Sequence, residues 1–469
     1  MDNKKIVDVS VLNEDQMSIF ETLRDYIVSQ NDDQIYVLKG WAGTGKTFTI
    51  SVLVRYVLDV MYPNKKYKIA VTGPTNKSVR VIRTTSGIKH PKVIFQTIHK
   101  LLGLTERITH DGKQEFVNQG TSPQIESVRL LIIDEVSMLN DELFEMIIEH
   151  RGKTKIICMG DPAQIPPVGK PDCIPFREEL YEKYRIKSLQ LRTIMRQKHD
   201  NPIIDISVKI RKNIESRRNP VDPVTVKLEN DEGVEFLNLN DKNIRKSFPL
   251  IIEKYFKTEK FENDSEYAKI IAWRNKTVAS MNQLVRRVIF GEDKIRSKIL
   301  LGEKLIANSP IIEGDFVLFN TNEEFTVESF KILSENKKDQ QGLELTLKYY
   351  EAVVKYLDDQ DESKKTYIDI LHEDSEEDFK WLLNDLKSIA IEKKGKDKTW
   401  IKYYDFLRRF ADVGYAYAIT SHKSQGSTYD TTFVLEDDID TNMDIVERNR
   451  IKYTSYTRAS RKLYVLRRF

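Results

Sequence analysis

Residues Ile35–Thr47 read Ile-Tyr-Val-Leu-Lys-Gly-Trp-Ala-Gly-Thr-Gly-Lys-Thr. The segment opens with a short apolar run of strand length and continues into a glycine-rich turn that ends at Lys46 and Thr47. Glycines allow backbone amides to converge on a phosphate group, while Lys46 supplies positive charge and Thr47 a hydroxyl for a divalent cation. Because the Gly-x-x-x-x-Gly-Lys-Thr spacing directly follows a predicted strand, the segment predicts a phosphate-binding loop between a strand and a helix.

Similar short apolar runs recur on both sides of this loop. Helical or loop segments separate them, and such alternation predicts an α/β fold with parallel sheets flanked by helices. Asn13, followed by Gln16, predicts the N-terminal cap of a first helix. A second α/β set is expected to begin near Leu191. The predicted strands are Ile35–Leu38, Ile69–Val71, Leu130–Ile133, Ile156–Met159, Ile270–Trp273, Phe433–Leu435 and Leu463–Leu466.

The pattern changes between Lys298 and Phe410, where strand-like pieces precede an acidic, lysine-rich and aromatic stretch. We interpret this region as an insertion into the second α/β set. Its aromatic residues in Trp381–Phe410 are consistent with a platform for nucleic acid, but the sequence favours the core of a small helical extension. The predicted domains are residues 1–190, then 191–297 with 411–469, and the inserted domain 298–410.

Composition restricts the class of protein. The 469 residues are 40% hydrophobic and 31% charged, which is typical of a folded globular protein of two to four domains. The net charge of +3 says little about partners. Two cysteines give no disulfide framework, and no apolar run is long enough for a signal peptide or a membrane span. We therefore expect a cytoplasmic protein without a membrane partner.

Polar residues follow two of the predicted strands. Asp134 and Glu135 come after Leu130–Ile133, and Gln164 lies in the turn after Ile156–Met159. At strand ends beside a phosphate-binding loop, Asp134 would hold Mg²⁺, Glu135 would polarise the attacking water and Gln164 would sense the γ-phosphate. Taken alone, the pair is more often an ordinary strand end, and the turn is equally consistent with one. The phosphate-binding loop upstream favours the functional interpretation of the pair.

In this order the motifs resemble those of superfamily 1B DNA helicases, of the Dda-like type found in bacteriophages and more distantly of the RecD-like type. The resemblance runs from Asn13 to Arg458, although Ser460 stands where the family pattern has a glycine. The matching segments are Gly40–Thr47 (motif I), Gly73–Lys77 (Ia), Thr97–His99 (Ib), Asp134–Met138 (II), Gly160–Gln164 with Pro166–Val168 (III), Leu191–Gln197 (IV), Thr420–Gly426 (V) and Tyr453–Arg458 (VI).

The resemblance implies two RecA-like domains that bind ATP and Mg²⁺ between them. It implies that Gln16 contacts adenine and that Arg196 and Arg458, from the second domain, reach the γ-phosphate. The expected catalytic residues are Lys46, Glu135, Gln164, Arg196 and Arg458. The expected nucleotide ligands are Gln16, Gly43, Thr44, Gly45, Lys46 and Thr47, and the expected metal ligands are Thr47 and Asp134.

The resemblance also implies a track that binds a single nucleic-acid strand, called the strand-binding track, with polar contacts on both domains. Asp111-Gly112 predicts a β-hairpin turn within residues 105–122, and in the resembling helicases a hairpin here is the pin that splits the duplex. Phe116 is the candidate for stacking on the terminal base pair, with local packing as the alternative. The candidate DNA-binding residues are Pro74, Thr75, Asn76, Thr97, His99, Phe116, Asn275, Ser421, His422 and Lys423.

The function implied is a 5′→3′ single-stranded DNA translocase and helicase. Alternatives are an ATP-switched nucleic-acid-binding or remodelling protein without strand separation, and a helicase acting on RNA. A helicase–nuclease fusion is disfavoured, since the sequence shows no further carboxylate cluster with a neighbouring lysine in a strand context. Expected partners are single-stranded and forked duplex DNA and a single-strand-binding or replisome protein. The chain is expected to act as a monomer in a bacterial or phage-infected cytoplasm, and the inserted domain to be SH3-like.

Overall fold

A computed structural model gives the fold of most of the chain. Arg196, Val168 and the predicted turn Asp111-Gly112 lie outside the described residues, and the side chain of Phe116 is likewise not described. The described residues are 7–31, 33–63, 65–108, 114–118, 122–167, 169–193, 201–217, 224–228, 231–313, 316–358, 362–393 and 398–468.

The first lobe is built on a six-stranded sheet in the order β3-β2-β6-β7-β1-β8, and every pairing in it is parallel. Strands covered by helices on both faces are expected to be apolar throughout, and Leu130–Ile133 is completely buried. The strands are β1 Ile35–Gly40, β2 Ile69–Gly73, β3 Val93–Thr97, β6 Leu130–Ile133, β7 Lys155–Gly160 and β8 Ile186–Leu191. Leu191 thus ends the first sheet, where the sequence predicts the start of the second set.

Helices cover both faces of this sheet. The capping box predicted for the first helix is confirmed, because Asn13 and Gln16 bond each other's backbone reciprocally. A π-helical turn, Val57–Met61, continues the helix after the phosphate-binding loop. The helices are α1 Glu14–Val28, α2 Lys46–Tyr56, α3 Asn76–Ser86, α4 Ile98–Leu101, α5 Asp141–His150 and α6 Tyr181–Tyr184.

A β-hairpin projects from this lobe between α4 and β6. It consists of β4 Leu104–Ile108 and β5 Gln114–Asn118, which pair antiparallel with Glu106 opposite Phe116. The backbone of the predicted hairpin is therefore present at the predicted place.

The second lobe has a six-stranded sheet in the order β19-β11-β20-β21-β10-β9. Only β9 runs antiparallel to its neighbour. The strands are β9 Val226–Lys227, β10 Gly233–Asn238, β11 Ala268–Ala272, β19 Ala418–Thr420, β20 Tyr429–Leu435 and β21 Ala459–Arg467. The helices are α7 Pro202–Ser216, α8 Lys242–Phe256, α9 Glu259–Asn263, α10 Asn275–Phe290, α13 Glu436–Ile439 and α14 Ile445–Tyr456. Both lobes are thus α/β with mainly parallel sheets, as the pattern predicts, and their RecA-like character stays an implication of the resemblance.

The insert interrupts the second lobe with an antiparallel five-stranded sheet in the order β17-β16-β15-β12-β18. Its edge strand β18 begins at Val413, beyond the predicted limit at Phe410. Two helices, α11 and α12, pack on the sheet. The elements are β12 Lys304–Ala307, β13 Ile311–Glu313, β14 Phe316–Phe319, β15 Glu324–Lys338, β16 Glu344–Leu357, β17 Ser363–Leu371, α11 Glu376–Glu392, α12 Thr399–Leu407 and β18 Val413–Tyr415.

The aromatic residues of the insert divide into two groups. Phe379, Phe406 and Phe410 pack with buried leucines between helices and sheet, as the core interpretation predicts. Trp400 and Tyr404 stack on each other, and Trp381 is 56% exposed.

Across the described ranges, every helix is too short or too polar to traverse a lipid bilayer.

Candidate nucleotide cleft and strand-binding track

The phosphate-binding loop lies between the end of β1 and the start of α2. Gly43 and Gly45 have φ angles of 83° and 82°, a left-handed conformation that favours glycine. A Cβ on Gly40 would lie 2.7 Å from the Thr44 hydroxyl, so close approach also requires glycine there. The Lys46 ammonium donates to the Gly40 carbonyl at 2.6 Å, which keeps the positive charge over the loop.

Two carboxylates follow β6 and face this loop. Glu135 has a left-handed φ of 49°, and its N–H donates to Asp134 Oδ1 at 2.8 Å. Burial and the Glu135 charge raise the pKa of Asp134 to about 7, with Lys46 opposing. The pocket thus concentrates negative charge and, with the Thr47 hydroxyl, offers the hard oxygen donors that Mg²⁺ prefers.

Gln164 lies on the turn after β7 and contributes to the wall of the same cleft. Its N–H donates to the Asp161 carbonyl at 3.1 Å, which fixes the turn. Within the described part of the chain its buried Oε1 has no hydrogen-bond partner. Buried polar atoms usually have partners, so this oxygen is available to accept a hydrogen bond from a group bound in the cleft.

Arg458 follows α14 in the second lobe, yet it lines the same cleft as Lys46, Asp134 and Glu135. The guanidinium is nearly buried and donates to two carbonyls of its own lobe, at 3.0 Å to Thr454 and 3.0 Å to Ser427. The structure therefore places the predicted arginine of motif VI on the wall of the cavity that the phosphate-binding loop also lines, and its contact with the γ-phosphate stays a prediction. Arg196, the second predicted arginine, lies outside the described residues.

Gln16 is buried beside the phosphate-binding loop. Its side-chain amide donates to the Thr44 carbonyl at 3.4 Å, and its oxygen also accepts from the Asn13 N–H. The structure thus ties Gln16 to the loop backbone, and the contact with adenine stays a prediction.

A set of side chains missed by the sequence analysis joins the two lobes beside the phosphate-binding loop. The Tyr453 hydroxyl of α14 donates to Asp161 Oδ2 at 2.5 Å and accepts from the Ala42 N–H at 3.4 Å. The Arg211 guanidinium of α7 lies 3.1 Å from the centre of the Trp41 ring. Trp41 and Tyr453 stand inside quoted motifs, but only the folded chain shows what they contact.

The cleft continues from the nucleotide side into a larger channel bordered by both lobes and the insert. Of the predicted DNA-binding residues, Thr75, Asn76, His422 and Lys423 line it. The Asn76 side chain donates to Glu323 Oε1 of the insert at 2.5 Å. The Lys423 ammonium donates to Asn308 Oδ1 of the insert at 3.3 Å. Both lobes therefore reach the insert through side chains that the sequence assigns to the track.

Ion pairs reinforce this part of the boundary. Lys77 of α3 lies 3.6 Å from Glu266 of the second lobe and 3.7 Å from Glu324 of the insert. Glu324 is shared with Lys269 of the second lobe at 3.0 Å, so both lobes meet on one insert carboxylate. Burial alone would lower the pKa of Lys77, but Tyr429 and the two carboxylates outweigh it and raise that pKa. Lys77 is therefore firmly charged.

Five predicted track residues do not line the channel. Ser421 is fully buried: its hydroxyl donates to the Ala272 carbonyl at 3.2 Å and accepts from Ser455. Its polar side-chain atom is thus already enclosed within the second lobe, and its contact with DNA stays a prediction. The others, absent from the described channel wall, are Pro74, Thr97, His99 and Asn275.

The hydroxyls of Thr75 and Thr97 cap helices, accepting from Ser78 N–H and Lys100 N–H. Burial lowers the pKa of both His99 and His422, which favours their neutral forms. At neutral pH these histidines therefore act as hydrogen-bonding groups instead of cations.

Two protein-family models match separate parts of the chain. An AAA domain model matches residues 11–222, and a UvrD-like helicase C-terminal domain model matches residues 415–466. The ATP-dependent DNA helicase dda of Enterobacteria phage T4 is 26% identical over 412 residues, covering 85% of this chain and 86% of that protein. An uncharacterized protein of Acanthamoeba polyphaga mimivirus is 27% identical over 496 residues, covering 93% of this chain and 96% of that protein. A solved Pif1 helicase from Bacteroides, with ADP-AlF3 and single-stranded DNA, is 18% identical with a TM-score of 0.45, covering 97% of this chain and 92% of that chain.

These matches define a class of protein, one with a phosphate-binding-loop lobe followed by a helicase-type C-terminal lobe. Within that class the chain is similar to the superfamily 1B helicases of the Dda-like group.

Proposed function

We propose that the protein is an ATP-dependent 5′→3′ single-stranded DNA translocase and helicase that hydrolyses ATP in the cleft between its two lobes. The observation that carries the proposal is a shared cavity. Lys46, Asp134 and Glu135 of the first lobe line it together with Arg458 of the second. A nucleotide bound there would contact both lobes, so its hydrolysis would change how they hold together.

Each residue in the cleft has a distinct proposed role. Lys46 and the amides of Gly43, Thr44 and Gly45 would bind phosphate, while Thr47 and Asp134 would hold Mg²⁺, which would supply positive charge to the phosphates. Glu135 orients the attacking water. Gln164, Arg196 and Arg458 stabilise charge that develops on the γ-phosphoryl oxygens, and Gln16 contacts adenine.

DNA is proposed to occupy the channel that Asn76, His422 and Lys423 border. These three side chains offer donors that suit a phosphate backbone, and such contacts do not read base sequence. Strand binding would replace the Glu323 carboxylate on Asn76 with a phosphate oxygen, since both are anionic hydrogen-bond acceptors. The hairpin of β4 and β5 is proposed as the pin, with Phe116 at the duplex junction.

The remaining assignments rest on the resemblance. We propose an SH3-like β domain with a helical extension for residues 298–410, and domains of 1–190 and of 191–297 with 411–469. The 5′→3′ polarity, the monomeric state, a single-strand-binding or replisome partner and a bacterial or phage-infected cytoplasm belong to the same proposal.

A directional unwinding assay tests the proposal. Duplexes with a 5′ tail, a 3′ tail or no tail are incubated with the protein with and without ATP. The expected result is ATP-dependent separation of the 5′-tailed duplex alone. Binding to tailed DNA with ATP turnover but no separation would instead indicate an ATP-switched binding protein, and efficient use of an RNA track would overturn the DNA assignment.

A further inference from the structure

We propose that Tyr453 is a positioning residue for ATP hydrolysis. Its hydroxyl ties the second lobe to two loops of the first, the phosphate-binding loop and the turn at residues 161–165, and thereby sets the position of Gln164. The inference rests on the proposed function, because it concerns turnover in the cleft between the lobes.

The contact geometry is specific. Tyr453 is 2% exposed, and its hydroxyl lies between two groups of the first lobe. It donates to Asp161 Oδ2 at 2.5 Å and accepts from the Ala42 N–H at 3.4 Å. The first bond is short and has a charged acceptor, while the second is long for an N–H···O bond. Tyr453 is thus held firmly by the turn and loosely by the phosphate-binding loop.

Asp161 links Tyr453 to the turn that carries Gln164. Its other carboxylate oxygen accepts from the Ala163 N–H at 2.9 Å, and its carbonyl accepts from the Gln164 N–H at 3.1 Å. The carboxylate that Tyr453 contacts therefore also closes the turn on which Gln164 stands. A shift of Tyr453 would therefore shift the Asp161 carboxylate, which closes this turn.

The second lobe holds the far end of the same turn as well. The Ile165 N–H donates to the Thr454 hydroxyl at 3.2 Å, and the Ile165 carbonyl accepts from the Gln425 side chain at 2.8 Å. Thr454 is the neighbour of Tyr453 on α14, and Gln425 lies three residues after His422 in the strand channel. The second lobe thus contacts the turn of Gln164 at both of its ends.

The weak bond to Ala42 is the one that a nucleotide would change. Backbone amides of a phosphate-binding loop prefer a charged phosphate oxygen over a neutral hydroxyl. Burial and the Asp161 carboxylate raise the pKa of Tyr453 well above its ordinary value, so its hydroxyl stays protonated and remains a donor to Asp161. Occupation of the loop would then release Ala42 without releasing the turn.

Tyr456 provides a matched control. It lies on the same helix and is 1% exposed, and burial together with Glu436 of the second lobe raises its pKa well above the ordinary value. Tyr456→Phe therefore removes a buried tyrosine hydroxyl without touching the boundary between the lobes. A purely structural role for Tyr453 predicts the same behaviour for both phenylalanine variants.

The experiment measures kcat and KM for ATP with and without oligo-dT, together with the thermal midpoint, for both variants. Tyr453→Phe is expected to lower the DNA-stimulated kcat by about tenfold, since one hydrogen bond to a charged group is lost, while KM stays within about twofold because the phosphate ligands are untouched. Tyr456→Phe is expected to keep the wild-type kcat. Equal kcat values in the two variants, or a loss that follows the thermal midpoint, would overturn the inference.

Asp161→Asn supplies a second route to the same contact. If Tyr453 acts through Asp161, the double variant loses no more turnover than the stronger single variant, since both changes remove one interaction. Multiplicative losses would contradict the coupling. An inactive wild-type protein would refute the proposed function itself, whereas an active wild type with a fully stimulated Tyr453→Phe variant refutes only the role of Tyr453.

Discussion

The boundary between the two lobes has two differently constructed parts. On the nucleotide side, which we call the nucleotide seam, Tyr453 and Arg211 of the second lobe contact Asp161, Ala42 and Trp41 through hydrogen bonds and a stacked guanidinium. The other side borders the proposed channel for the DNA strand, and we call it the strand seam. There, Asn76, Lys77 and Arg80 of the first lobe face Glu266 and the insert carboxylates Glu323 and Glu324.

The difference has a physical meaning. Hydrogen bonds from buried groups depend steeply on distance and angle, so the nucleotide seam is sensitive to small changes in lobe position. Ion pairs tolerate more movement, and their carboxylates are replaceable by phosphates. The nucleotide seam is therefore suited to sensing geometry, and the strand seam to exchanging one anionic partner for another.

The largest effect among the first four predictions concerns the phosphate-binding loop beside the nucleotide seam. Lys46→Ala should lower ATP hydrolysis by about a hundredfold or more, because the positioned charge on the phosphates is lost. The measurement is steady-state phosphate release with saturating oligo-dT. Near-normal DNA-stimulated turnover would contradict the assignment of Lys46 as a phosphate-binding residue.

The next effect separates strand separation from hydrolysis. Phe116→Ala should reduce unwinding of a forked duplex by about tenfold, in line with the loss of one base-stacking contact, and leave oligo-dT-stimulated ATP hydrolysis near wild type. Both activities are measured on the same protein preparation. An equal loss of unwinding and of ATP hydrolysis would refute the role of Phe116 and its hairpin as a pin.

A smaller effect tests whether the strand seam exchanges anions. Glu323→Gln should raise the affinity for single-stranded DNA by about fivefold, because one carboxylate that competes with phosphate is removed. Fluorescence anisotropy with a labelled oligonucleotide measures the Kd. The control is Glu351→Gln, which breaks an ion pair with Lys331 elsewhere on the insert sheet. Unchanged or weaker binding by Glu323→Gln would contradict the exchange.

The smallest expected effect concerns a single phosphate contact. Lys423→Ala should weaken DNA binding about threefold and reduce the slope of log K against log salt by about 0.7. Lys402→Ala, at an exposed position on α12, is the matched control. If the salt slope is the same for both variants, Lys423 does not contact the strand.

The parts of the site predictable from sequence are those encoded locally. The phosphate-binding loop and the strand before it lie within Ile35–Thr47, and the carboxylates Asp134 and Glu135 directly follow their strand. Local order also predicts the capping box at Asn13 and the hairpin backbone of β4 and β5. In each case the residues that interact are close in sequence, so spacing is sufficient.

The parts that escaped prediction depend on distant residues. Tyr453 and Asp161 are 292 positions apart, and Asn76 and Glu323 are 247 apart. Ser421 belongs to a quoted motif, but its burial against Ala272 is decided by packing of the second sheet. Strand β18 joins the insert by pairing with β12, which no local pattern shows.

The central claim is that Arg458 of the second lobe acts on a nucleotide bound by Lys46 of the first. It is tested most directly by single-turnover ATP hydrolysis in Arg458→Gln, with the ATP Kd measured in parallel. Hydrolysis should fall by about 10³- to 10⁵-fold, as for other arginines that contact a transferring phosphoryl group, while ATP binding changes far less. Hydrolysis at close to the wild-type rate would contradict a nucleotide clamped between the lobes.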